Sequence, residues 1–125
     1  CQEITLPTTP ISHPDDEDGE IALCILSAIN VGSIKLEELP ELCDIAVRGL
    51  DELIDYQRYP VRAAEVSTKA RRSLGIGYIG LAHYLAKHKA KFEDKNSWKL
   101  VNELTEAFQY SLIKASVEID HKFYR

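Results

Sequence analysis

Cys1-Gln2-Glu3-Ile4-Thr5-Leu6-Pro7-Thr8 opens the chain and sets a thiol and a carboxylate two residues apart. In an extended segment, alternate side chains point to the same side, so Cys1 and Glu3 are presented together. Such a pair can serve hydrogen transfer, or nucleophilic attack assisted by a neighbouring general base. Taken bare, it is unspecific. Nucleophilic cysteine chemistry usually draws on a histidine, and the nearest, His13, sits between Ser12 and Pro14 in a loop. His13, His88 and His121 read as surface residues and His83 as packing within its helix. Working outward, Cys24 follows in the apolar run Ile21-Ala22-Leu23-Cys24-Ile25-Leu26, which brings two thiols and an acid into one short stretch.

A chain of 125 residues is long enough for one domain, and a domain near this size buries roughly two-thirds of its unfolded surface. With 45% hydrophobic and 28% charged residues, the composition is that of an ordinary globular protein. A net charge of -5, with Lys and Arg scattered or helical, argues against a nucleic-acid surface. Lys69, Arg71 and Arg72 form the one basic cluster, read as a solvated face ahead of a phosphate site. No apolar run reaches the ~18 residues of a membrane span and no signal peptide opens the chain, so a cytoplasmic protein without membrane contact is expected.

Three cysteines, with no CxxC pair and no zinc-type spacing, predict free thiols and no metal site. In a reducing compartment, those in exposed or polar loops are redox candidates. The sequence has no Met. Removal of an initiator Met, an incomplete chain, and protein splicing, in which an intein requires Cys, Ser or Thr as the first downstream residue, each account for that.

Pro7, Pro10 and Pro14, followed by Asp15-Asp16-Glu17-Asp18-Gly19, predict an extended segment running into a solvated acidic loop, with a metal site the lesser reading. The apolar residues 20–30 suit a buried strand, and Asn30-Val31-Gly32-Ser33 a turn. Between Leu36 and Tyr56, Leu39, Leu42, Ala46, Leu50 and Leu53 recur at helical spacing, widened by Ile45 and Ile54. Cys43 lies beside that stripe and reads as a core thiol.

After Pro60 a shorter helix is expected from Ala63 to Arg72, a strand over Leu74–Ile79 and a helix over Gly80–His88. Gly75-Ile76-Gly77 with Gly80 matches GxGxxG, but no acidic residue ends a second strand about 20 positions on. Close packing of strand and helix is the preferred account of these glycines. Asp94, Asn96 or Ser97 can cap a last long helix whose stripe is Val101, Leu104, Phe108, Leu112, Ala115 and Ile119. The fold class is α/β and predominantly helical. An active-site loop, acidic loop and strand occupy 1–35, and helices with one further strand near 74–79 fill 36–125.

The Cys1-Gln2-Glu3 triplet, Gly19-Glu20-Ile21-Ala22-Leu23-Cys24, Leu50-Asp51-Glu52-Leu53-Ile54-Asp55-Tyr56-Gln57 and Arg71-Arg72-Ser73-Leu74-Gly75-Ile76-Gly77 together resemble the large (alpha) subunit of class I ribonucleotide reductase. The resemblance implies a partial piece of that enzyme's ten-stranded α/β barrel, whose central loop holds the radical cysteine. It implies that Cys1 carries a transient thiyl radical and abstracts the 3' hydrogen of a ribonucleotide. Glu3 is then the base that accepts the 3' hydroxyl proton, and Cys24 one of two thiols that become a disulfide as the 2' hydroxyl leaves. The backbone around Gln2 contacts substrate beside Cys1 and Glu3.

No cofactor is implied for this segment itself. The radical comes from the small subunit's metal centre, ATP and dNTP effectors bind elsewhere, and thioredoxin or glutaredoxin reduces the full enzyme. Several family features are absent: the partner thiol of Cys24, an Asn two residues before the radical cysteine, the radical-relay tyrosines, the C-terminal thiols and the allosteric sites. Cys43, on a helix, does not replace the missing thiol. The isolated chain is therefore expected to be inactive, and marginally stable or associated with the remaining parts of its subunit. A helical interaction protein keeping part of this fold, and a small redox protein cycling Cys1 and Cys24, are the other readings.

Overall fold

Proline, glycine and one left-handed arginine divide the chain into its elements. The structure, a computed structural model, describes residues 5–120. Along the chain run β1 (Ile25–Asn30), a 3-10 turn (Leu36–Glu38), α1 (Leu39–Tyr56), α2 (Arg62–Arg71), β2 (Leu74–Ile79), α3 (Leu81–Lys87) and α4 (Lys95–Ile119). β1 and β2 pair in a two-stranded sheet. Ile25 N–H donates to Ser73 O at 3.1 Å and Val31 N–H to Ile79 O at 3.0 Å, a constant offset that makes the pair parallel. This mixed α/β pattern with a parallel pair agrees with a piece of a barrel.

The residues group into two compact units. One consists of the stretch ending at Leu26 with Leu50–Gly75, the other of Ser27–Gly49 with the stretch from Ile76 onward. The second holds the larger apolar core: Val31, Leu39, Cys43, Tyr84, Leu85, Leu104 and Phe108 are all buried there. Each fully buried side chain of the Leu, Val or Phe type contributes about 1.5–3 kcal/mol. The first unit buries Leu50 and Ile54, and otherwise the small or polar Ala63, Ala64, Ser67 and Thr68.

α1 turns its face differently from the leucine stripe. Its buried positions are Leu39, Cys43, Val47, Leu50 and Ile54, while Ile45 and Leu53 are exposed at 51% and 46%. Cys43 thus lies within the buried stripe rather than beside it, as one of its most enclosed side chains. β1 likewise differs from a buried strand, because Leu26, Ser27 and Ala28 are exposed and Ile25 and Ile29 only half-buried.

β2 occupies Leu74–Ile79 as its sequence predicts. The first two glycines of the GxGxxG match lie inside that strand, and only Gly80 occupies the turn to α3. Gly80 adopts φ +80°, and a Cβ there would strike the Asn30 side-chain oxygen and lie 3.1 Å from Gly32 N. Close approach to another strand end therefore requires this glycine. Asp94 holds the N-cap position of α4, but its carboxylate accepts from Lys91 N–H at 3.0 Å instead of capping the helix.

Candidate active-site segment

Cys24 is half-buried, carries a free thiol, and stands immediately before β1. Cys1, Gln2 and Glu3 lie outside the described residues. The geometry around Cys24 is set by its flanks. From Gly19 to Cys24 the chain has neither helix nor strand, and polar contacts hold it instead. Glu20 N–H donates to Thr9 O at 2.9 Å, Ile21 N–H to Ala63 O at 3.2 Å and, beyond the thiol, Ile25 N–H to Ser73 O at 3.1 Å. Leu26 covers Gly75 so closely that a Cβ on Gly75 would sit 2.5 Å from the leucine methyl.

The basic cluster at the end of α2 is the main departure from expectation. Arg71 Nη2 donates to both Glu20 carboxylate oxygens at 2.9 Å. The Thr9 hydroxyl adds a bond to Glu20 Oε2 at 3.2 Å. The Arg71 bonds hold the Glu20 carboxyl below the usual glutamate range. Arg72 donates from Nε to Asp51 Oδ1 at 2.6 Å, and from Nη2 to Asp51 O at 2.7 Å and Asp55 Oδ2 at 2.8 Å. That pairing lowers the Asp55 carboxyl. Lys69 pairs with Glu65 at 2.9 Å. Lys69 and Arg71 are solvent-exposed, as a solvated face requires, but the cluster is also ion-paired, because acids from α1 and from the segment before β1 reach Arg72 and Arg71.

Arg72 makes these bonds from a left-handed backbone, φ 48°, while its N–H closes α2 onto Thr68 O at 2.8 Å. A side chain in that conformation costs about 1 kcal/mol. The signal for this clamp was present in the sequence as Asp51 and Asp55 one helical turn apart, and as two adjacent arginines before a strand. Three of the stretches that carry the family resemblance are therefore joined physically, Glu20 to Arg71 and Asp51 with Asp55 to Arg72.

The acidic loop folds onto one of its own carboxylates. Asp16 accepts from Ser12 N–H at 2.8 Å, Ser12 Oγ at 2.7 Å, Asp18 N–H at 3.0 Å and Gly19 N–H at 3.2 Å. The Ser12 bonds lead in holding its carboxyl far below the usual range. Among the described residues no group of three His, Cys, Asp or Glu is placed to hold a metal ion.

Elsewhere the chemistry is quieter. Burial pushes the Cys43 thiol up, so it stays protonated and unreactive. His88 is exposed, with Nδ1 2.8 Å from Tyr84 O and its ring against the Tyr84 ring. His83 is exposed on α3 beside Gly32. A groove of about 500 Å³ bounded by Leu81, Phe92, Trp98, Val101 and Thr105 has no titratable side chain in its wall. No helix among the described residues is long and apolar enough to cross a membrane.

Comparison with known proteins places these residues in context. Residues 1–123 match the family model described as "Ribonucleotide reductase, barrel domain". The chain is 56% identical over 120 residues to the ribonucleoside-diphosphate reductase subunit alpha of Haemophilus influenzae, and 52% identical over 120 residues to that of Buchnera aphidicola from Schizaphis graminum. Each match covers 95% of this chain and 16% of the relative. The subunit alpha of Enterobacteria phage T4 is 43% identical over 122 residues, covering 95% of this chain and 15% of the relative. The chain thus spans under a fifth of the length of these relatives.

Proposed function

From the premise that the chain belongs to the ribonucleotide reductase family, as part of its barrel domain, we propose that it supplies several of the reacting groups of a ribonucleoside-diphosphate reductase alpha subunit. The observation that supports this reading most is the family match over residues 1–123, which includes Cys1, Glu3 and Cys24 in one stretch. The reaction would convert a ribonucleotide into the deoxyribonucleotide used for DNA synthesis.

Cys1, as a thiyl, takes the 3' hydrogen of the ribose and returns it at the end, so that it is neither oxidised nor reduced overall. Glu3 accepts the 3' hydroxyl proton within hydrogen-bond reach of the sugar. The 2' C–O bond then breaks. Cys24 and a second thiol outside this chain give up two hydrogens, one oxygen leaves as water, and the two sulfurs close a disulfide. Backbone groups around Gln2 would hold the substrate beside Cys1 and Glu3.

In this reading a metal centre in the small subunit is the source of the radical. Other partners are the remaining parts of the large subunit and thioredoxin or glutaredoxin, which reopens the disulfide, and ATP or dNTP effectors bind outside this segment. The expected compartment is the cytoplasm, where dithiols persist reduced.

The test uses the complete subunit with its small-subunit partner and cytidine diphosphate. Cys1→Ser and Glu3→Gln are expected to remove turnover, and Cys24→Ser to remove deoxynucleotide formation from pre-reduced enzyme. Turnover by Cys1→Ser, or by the 125-residue chain alone, would overturn the assignment.

A further inference from the structure

The stretch that delivers Cys24 has no helix or strand to fix it, yet its geometry is heavily specified. Ile21 N–H on Ala63 O and Ile25 N–H on Ser73 O anchor it at both ends. Between those anchors only Ala22, Leu23 and Cys24 are left to settle their own course. Immediately upstream, Glu20 takes two bonds from Arg71 and one from Thr9. The Glu20 side chain is 13% exposed and that of Arg71 37%, so the carboxylate is covered while the guanidinium keeps one side in solvent. One guanidinium nitrogen, Nη2, meets both carboxylate oxygens at 2.9 Å and so centres the carboxylate on the arginine.

We propose that Arg71 is a positioning residue for the Cys24 thiol, acting through Glu20. The proposal rests on the reading above in which Cys24 reacts as one member of a dithiol. Closing a disulfide demands that the sulfurs meet at about 2.05 Å with a narrow range of torsion, so a small displacement of the segment is felt in the rate. Arg71 itself touches neither substrate nor thiol. Its contribution is to hold the carboxylate four residues ahead of Cys24.

The experiment is a single turnover of the complete, pre-reduced subunit with its partner, without added reductant, on Arg71→Gln, Glu20→Gln, Arg71→Lys and Cys24→Ser. Arg71→Gln and Glu20→Gln are expected to slow the burst of deoxynucleotide about 10- to 100-fold, the range that follows displacement of a reacting group by roughly 1 Å. Burst amplitude and KM for cytidine diphosphate stay unchanged. Arg71→Lys keeps the charge but loses the planar guanidinium, and falls between. A purely structural role would lower the amplitude and leave the rate per active site as it was. That pattern, or an unchanged burst in Arg71→Gln and Glu20→Gln while Cys24→Ser abolishes it, overturns the proposal alone. A burst that survives Cys24→Ser overturns the dithiol reading and this proposal with it.

Discussion

The two compact units are held by different physics. In the unit formed by Ser27–Gly49 and the chain from Ile76, large apolar side chains interlock, and Tyr78 meets Phe108 edge-on at 5.4 Å and 85°. In the unit that contains Cys24, the buried side chains are mostly small, and the long-range ties are ion pairs and single backbone hydrogen bonds. Apolar burial gives stability in proportion to area and little direction. Partly exposed ion pairs give about 0–1 kcal/mol each but fix orientation. The unit that contains Cys24 is therefore specified more than it is stabilised, and the other unit supplies the larger share of apolar burial.

The largest expected effect breaks that contrast on the apolar side. Leu104 is 1% exposed at the centre of the core cluster. Leu104→Ala is expected to cost about 2–5 kcal/mol. Amide exchange read by mass spectrometry should show lost protection in α3, α4 and the first half of α1. Equal loss over Arg62–Gly75 would show that the two units unfold as one and would sink the comparison.

A smaller effect sharpens the polar side. Arg72 combines a left-handed backbone with bonds to Asp51 and Asp55, so two opposing contributions meet in one residue. Arg72→Ala removes the bonds and keeps the strain, at an expected loss of about 1–2 kcal/mol. Arg72→Gly removes both and is expected to recover about 1 kcal/mol of that. If alanine and glycine lower protection of α2 equally, backbone strain has no part in the balance.

What could be read in advance follows the same divide. β2 was legible to the residue because glycine and branched residues alternate after a helix that must stop, and α4 because its stripe is long and regular. α1 was found with Leu39, Leu50 and Ile54 on its buried face, but that face was turned: leucines drew the stripe toward Leu53 and Ile45, whereas Cys43 and Val47 complete what it buries. Hydropathy weighs a leucine above a cysteine, while packing asks only which side meets the core. In the site, Cys24 was picked out by family pattern. The Arg71–Glu20 pair spans 51 positions, a separation that no local periodicity registers. Arg72 was read as one cation among three because its acids arrive from a different helix.

The smallest effect separates the units by pH alone. In the unit with Cys24, bonds to Arg71, Arg72 and Lys69 lower the carboxyls of Glu20, Asp55 and Glu65. The folded form then binds fewer protons than the unfolded one, so these groups contribute fully above the unfolded values of about 4 and lose that contribution as pH falls from there through the lower folded values. In the other unit the resolved shifts among the described residues are those of Cys43 and Tyr84, both raised, with burial the leading cause. A raised value acts at the opposite end: its contribution is complete below the unfolded value and fades as pH climbs past about 8.5 for the thiol and 10 for the phenol. Exchange measured across pH, corrected for its intrinsic rate, should therefore loosen Arg62–Gly75 first in acid and the start of α1 with α3 first in alkali. Loss in the same order at both ends would mean that one shared transition, rather than two differently built regions, governs the response.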